Sequence, residues 1–345
     1  MAIFKRVLTW GLLCILLVLG FREANAIGRF SPVSLRFNAP ICGDTAFRAR
    51  QFSIANYESG SFWPTFWNQD RAELTVGART SHVNAISFSG DATLVWPSPY
   101  IAGNAPGAID AHGIAISEAL AHTLWGSTDI IGQQVYVNEE TRTVRGIFRG
   151  TTNLALIPFH IEDTSQSWTA AELSGGISHP QRTPFARFFP TRSDAESFAV
   201  SAGLGVPDYV IMGGALALAR FMALLPVLVI AVYGVVRFVN TVSQKNAVVR
   251  SRFFASLMGL IAFALLLPFV LNALPPWLIP NQWSDFSFWS TLLQQANNST
   301  REFLSVNPTL RDVELKIHLL RQGAIVVTGT VLSVIILCLC GSEWL

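Results

Sequence analysis

Six histidines, four cysteines and three lysines are the residues with which this 345-residue chain could ligate a metal, attack a substrate or hold a phosphate. The histidines (His82, His112, His122, His160, His179, His318) show neither H-x-x-x-H nor H-E-x-x-H spacing, which would set two rings on one helix face. No cysteine pair stands near them. Cys338-x-Cys340 lies in an apolar segment, and residues two apart on a helix point to different sides, so they suit lipid, a helix contact or acylation better than a shared metal. None of the lysines (Lys5, Lys245, Lys316) follows a glycine, so the phosphate-binding loop G-x-x-x-x-G-K-[ST] is absent. Any energy drawn from ATP must come through another polypeptide. A G-x-S-x-G nucleophile elbow is missing too. The sequence thus predicts no catalysis, no cofactor and no resident metal.

The composition explains what stands in place of chemistry. Hydrophobic residues make up 51% and charged residues 13% of the chain, with mean hydropathy +0.41. A soluble domain carries about 25% charged residues. A net charge of +2 is too small for a nucleic-acid binder working by counterion release. Cys42 is the single cysteine outside the apolar segments, so the polar region has no internal disulfide and depends on its core.

The elements that must build that core are clearest between His112 and Phe148. Ile114, Ala115 and Ile116 predict a short strand that stops at Ser117, an N-cap, with Glu118 in the first helical turn. Leu120 and Leu124, with Ala121 and Trp125 beside them, give the helix one apolar stripe, and Gly126 ends it. Val135–Val137 and Thr141–Phe148 predict a hairpin around Asn138-Glu139-Glu140, with Val144, Gly146 and Phe148 on one face and Thr143, Arg145 and Ile147 on the other. Elsewhere, strand character is predicted at Val33–Phe37, Phe47–Asn56 and Ala72–Arg79, and across Val83–Ala102 with a turn at Gly90-Asp91. Thr191–Leu204 predicts a helix with a capping box, Ser193-x-x-Glu196. The mixture reads as α+β. Two aromatic runs, Phe62–Trp67 and Phe185-x-x-Phe188-Phe189 near Arg182 and Arg187, read as core, membrane-surface contact or a ligand groove.

Hydropathy and charge set the topology. Lys5 and Arg6 precede the apolar run Val7–Phe21, which fits a signal peptide cleaved after Ala24-Asn25-Ala26 or a retained helix. Residues 27–206 follow as an extracytoplasmic domain. Tyr209–Val242 predicts a long helix, with Pro226 as a kink and Arg220 and Arg237 marking the outer and inner membrane boundaries. Residues 240–252 carry Lys245, Arg250 and Arg252 and no acidic residue, a positive-inside signal for a cytoplasmic loop. Phe253–Leu274 is the next span. The outer loop 276–323 contains Trp277, Trp283 and Trp289 for an interfacial belt. It ends in an amphipathic stretch, Thr309–Gln322, with Leu310, Val313, Ile317 and Leu320 along one side, which suits a helix on the membrane surface or against the extracytoplasmic domain. Ala324–Cys340 is the last span. The expected organisation is therefore residues 1–26, the 27–206 domain, and a three-helix membrane domain over 207–345. The α+β domain is inserted between the first and second of four transmembrane helices of a multi-pass protein in the cell membrane.

The run Ile-Ser-Glu, Leu-Trp-Gly, Asp129-x-x-Gly132 and Val144-Arg145-Gly146-Ile147 resembles the MacB-like periplasmic core domain of MacB/FtsX-type ABC transporter permeases, over about 40 residues. The resemblance implies a retained first helix and a non-catalytic, permease-like subunit that pairs as a homo- or heterodimer in membrane lipid. It also implies a separate ABC ATPase, which would touch the loop holding Lys245, Arg250 and Arg252. That loop reads VSQKNAVVRSR and lacks the acidic run typical of the family. This leaves a second reading, a membrane-anchored binding or scaffold protein that has lost ATPase coupling.

Overall fold

A computed structural model describes residues 2–30, 33–56, 63–107, 110, 112–138, 140–160, 162–163, 165–174, 192–212, 219, 222–233, 287, 290, 294, 297–298, 301, 304–305 and 308–341. The chain divides into two compact units, Met1–Gly28 with Gly214–Trp289 and Val313–Leu345, and Arg29–Gly213 with Ser290–Asp312.

The second of these is sheet-rich. Its strands are β1 (Val33–Cys42), β2 (Trp63–Val76), β3 (Arg79–Ser89), β4 (Tyr100–Gly103), β5 (Gly113–Ser117), β6 (Gln134–Val137), β7 (Glu140–Phe148), β8 (Leu154–Pro158), β9 (Ser167–Ser174) and β10 (Tyr209–Met212). They form one sheet in the order β10-β1-β9-β2-β3-β8-β5-β7-β4. β6 pairs with both β2 and β7, so β2-β3-β8-β5-β7-β6 close into a ring of hydrogen-bonded strands. Helices α2 (Gly43–Asn56) and α5 (Arg192–Ser201) cover β1, β9 and β10 around Leu35, Phe198 and Val210. α4 (Glu118–Trp125) adds Leu120, Ala121 and Leu124 to a second cluster with the ring strands. A third, aromatic cluster gathers Trp67, Phe88, Trp96 and Phe148. This is the expected α+β architecture.

The His112–Phe148 segment folds much as its residues dictate. The Ser117 side chain caps α4 by accepting the Leu120 N–H at 3.3 Å and also takes the Leu154 N–H at 3.2 Å, tying the helix start to β8. Gly126 ends α4 in the left-handed conformation, φ 76°. Ser117 is fully buried, so Ser117→Ala orphans two backbone donors. It is expected to cost about 2 kcal/mol, a fall in Tm of roughly 4–8 °C in the detergent-solubilised chain. An unchanged Tm would remove the cap from the account.

Five expectations are corrected. In β7, Val144 pairs with Ile114 and Gly146 with Ala115, so Arg145 is bulged out. Val144 and Ile147 therefore share one cluster, while Phe148 faces the aromatic one. Phe47–Asn56 is helical within α2, where Asp44 at the N-terminal turn, paired with Arg48, and buried Ala46 and Ala49 suit a helix. The segment after Gly90-Asp91 is a single helical turn, α3 (Ala92–Val95), because Asp91 caps the Thr93 N–H. α5 begins at Arg192, so Ser193 lies inside it and Glu196 pairs with Arg192 at 2.7 Å. Tyr209–Met212 is not helical. It is β10, paired antiparallel with Val33–Arg36.

The first unit contains α1 (Ala2–Ile27), α6 (Met222–Tyr233) and most of α7 (Leu310–Gly341). Thr9–Ile27 and Leu310–Cys338 are long and apolar enough to cross a membrane. Among the described side chains of α1 the buried positions are Leu13, Gly20, Ala24 and Ile27. A Cβ on Gly20 would meet Ile325 and Ala223 at 3.6 and 3.7 Å. Along α7 the buried positions Gln322, Val326, Gly329, Ser333 and Ile336 recur every three or four residues, a packing seam.

Candidate coupling site

The sequence-predicted candidates Lys245, Arg250, Arg252, Arg220 and Arg237 lie outside the described residues, as do the second apolar span, Phe185–Phe189 and the three loop tryptophans. Of the Phe62–Trp67 run, Phe66 and Trp67 are buried strand residues in the core.

What the structure does bring together is a knot of charges at the head of α7. On β1, β9 and β2 the side chains alternate. Val33, Leu35, Phe66, Ala171 and Leu173 join the helix-covered core, leaving Ser34, Arg36, Glu172 and Trp67 to the opposite face. Register places Glu172 between Ser34 and Thr65. Arg311 and Asp312 of α7 enter here. Glu172 is 0% exposed, Arg311 1%, Asp312 2% and Arg36 5%.

Each carboxylate has several donors. Glu172 Oε1 accepts from Ser34 Oγ at 2.7 Å and from Trp67 Nε1 at 2.9 Å, while its Oε2 meets Arg311 Nη2 at 3.0 Å. Arg36 Nη2 reaches Asp312 Oδ1 at 2.8 Å and lies 3.7 Å from Glu172. The Arg36 guanidinium stacks 4.5 Å over Trp67, and Arg311 lies 5.3 Å over Phe30. Arg311 also donates to the carbonyls of Val95 and Leu94 at 3.0 and 3.3 Å. The four charges sum to zero.

The helix start is held by its backbone as well. Thr309 and Asp312 form a capping box, in which Asp312 N–H donates to Thr309 Oγ1 at 3.3 Å and Thr309 N–H to Asp312 Oδ2 at 3.3 Å. The Leu310 N–H donates to Gln69 Oε1 at 2.8 Å. Leu310 itself packs on the aromatic cluster.

Of the two placements expected for Thr309–Gln322, its first turn takes the one against the 27–206 domain, through its charges as well as through Leu310. α7 is one uninterrupted helix of 32 residues, about 48 Å long. Val313 and Leu320, on the expected apolar side, are 39% and 75% exposed. The buried side carries Arg311, Asp312, Leu315 and Gln322, since buried ions demand their partners more strictly than apolar residues demand cover.

A second feature of the sheet-rich unit is a cleft of about 300 Å³ among the ring strands, lined by Asp70, Ala85, Ser87, Glu140, Arg142 and Phe159 among others. Arg142 donates to the Pro158 carbonyl at 3.0 Å and to Glu140 at 3.1 Å, and stacks 5.0 Å over Phe159. Burial pushes its guanidinium below the ordinary arginine range. Burial likewise raises the Tyr100 hydroxyl above the usual phenol range. Among the described residues no group of three or more His, Cys, Asp or Glu is placed to hold a metal.

No family model matches the chain, and no curated protein does. Among solved structures, the chain is similar to the periplasmic region of MacB from Actinobacillus actinomycetemcomitans, at 12% identity and TM-score 0.41, covering 53% of this chain and 89% of that one. It is also similar to the extracellular domain of the noncanonic ABC-type transporter YknZ from Gram-positive bacteria, at 10% identity and TM-score 0.38, covering 52% and 97%. The likeness is to MacB-like periplasmic domains.

Sequence reasoning missed Arg36, Glu172, Arg311 and Asp312. A signal was present: Arg36 in V-S-L-R-F and Glu172 in W-T-A-A-E-L are single ions of opposite sign inside otherwise uncharged strands.

Proposed function

We propose that this chain is the non-catalytic, permease-like membrane subunit of a MacB/FtsX-type ABC transporter. It couples a separate ATPase to movements of the sheet-rich unit, which this reading places outside the cytoplasm as an outer unit, in efflux or in force transmission. One observation carries the reading: the residues of the resemblance take the scaffold roles the fold needs, with Ser117 as a double cap, Gly126 as a left-handed helix end and Gly146 as a close-approach glycine. The apolar lengths of α1 and α7 support a place in the cell membrane. The chain works as a dimer in lipid, and Lys245, Arg250 and Arg252 face the ATPase on the cytoplasmic side. Purification from its own membranes in mild detergent is expected to bring a nucleotide-hydrolysing subunit with it. A clean preparation without such a companion would overturn this reading. It would favour the anchored scaffold, which the missing acidic run in residues 240–252 already suits.

The first helix is retained in this scheme. Cleavage after Ala26 would remove Gly20 and Ala24 from the seam, and Glu23, whose carboxylate meets His318 Nδ1 at 2.7 Å. Mass spectrometry of the membrane-extracted protein is expected to recover the peptide before Ala24. A mature chain starting at Ile27 would contradict it.

A further inference from the structure

The long helix predicted over Tyr209–Val242 does not begin at Tyr209, because Tyr209–Met212 is an edge strand of the sheet. α7 has what a lever needs. Its 32 residues contain no proline, and its polar first turns run directly into the apolar stretch Ala324–Cys340. Its head is held against both rotation and slip. Arg311 and Asp312 are adjacent, hence about 100° apart around the helix, and they engage different partners, Glu172 and Arg36. Turning the helix breaks one pair, and sliding it breaks both. An apolar contact of equal area tolerates either motion better, whereas buried ion pairs specify register.

We propose that α7 is the element through which the membrane helices act on the outer unit, with Arg311 and Asp312 as positioning residues whose charge knot fixes the helix to the sheet in one register. The coupling half of this proposal rests on the transporter reading, whereas the clamp half does not. The double variant Arg311→Met/Glu172→Gln removes the opposed charges but keeps volume and an acceptor for Ser34 and Trp67, so the outer unit stays folded.

The full chain in lipid nanodiscs, its native cysteines replaced, takes spin labels at His122→Cys on α4 and Leu320→Cys on α7, both exposed. Without nucleotide, the distance distribution is expected to be narrow in the parent. In the double variant it should broaden roughly twofold or more, with Tm within a few degrees. An unchanged width overturns the clamp, whether or not an ATPase partner exists. With the co-purified ATPase, ATP is expected to shift the distribution in the parent and not in the double variant. A full ATP-driven shift despite a broadened baseline overturns α7 as the lever. If the double variant unfolds, Arg311→Lys serves instead, and its width and ATP response should fall between those of the parent and a free helix. Parent-like values in both would overturn the proposal.

Discussion

Glu172→Ala is expected to destabilise the sheet-rich unit by about 3–5 kcal/mol, the range for removing one partner from a buried ion network, which lowers Tm by roughly 6–20 °C. The reason is what the carboxylate leaves behind. Arg311 loses the Glu172 carboxylate at 3.0 Å, Arg36 is left with Asp312 and its stacking on Trp67, and Ser34 Oγ and Trp67 Nε1 lose the Glu172 acceptor. Arg36 is already the least satisfied member, since its Nε and Nη1 are buried with no hydrogen-bond partner among the described residues. Glu172→Gln keeps an acceptor oxygen and is expected to cost less than half as much. Thermal unfolding of the two variants in detergent, followed by tryptophan fluorescence, checks both values. A Glu172→Ala protein within about 1 kcal/mol of the parent would mean that the knot is solvated and holds nothing.

Gly146→Ala is the other large effect, about 3 kcal/mol or more. Gly146 lies just past the bulge, where β7 carries β4 on one edge. A Cβ there would run into the Asn104 backbone carbonyl and approach the Tyr100 ring at 2.7 Å. Neither neighbour moves easily, because Asn104 N–H donates to the Arg145 carbonyl at 3.1 Å and Tyr100 packs edge-on to Phe148 at 6.1 Å. β4 must therefore lift off, which exposes residues 100–107 to proteolysis. Limited digestion of the variant is expected to cut there first. Equal resistance in parent and variant would contradict this role for the glycine.

The sequence made local structure legible wherever a residue's own chemistry decided it. Ser117, Gly126 and the hairpin after Gln134 are read from cap, left-handed glycine and alternation, and all three stand. Where a second surface decided, the reading failed. The bulge at Arg145 depends on β5 and β4 flanking β7 at once, so alternation alone assigned Ile147 to the wrong face. The apolar stripe of Thr309–Gln322 was plain in the sequence, yet α7 buries its charged side, because its partners come from strands far away in the chain. Arg36 is 276 residues from Asp312, and Ser34 is 138 from Glu172. Pattern reading has no access to such pairs, though an isolated ion in an otherwise uncharged strand marks a place to look for them.

Sidedness most directly tests the proposal that this chain moves an outer module with bilayer-crossing helices. In a chain whose four native cysteines are replaced, single cysteines at Ser165, exposed in the sheet-rich unit, and at Lys245 are offered a membrane-impermeant maleimide on intact cells. The account predicts that Ser165→Cys labels at once and that Lys245→Cys labels only after permeabilisation. Labelling of Lys245→Cys from outside would contradict it.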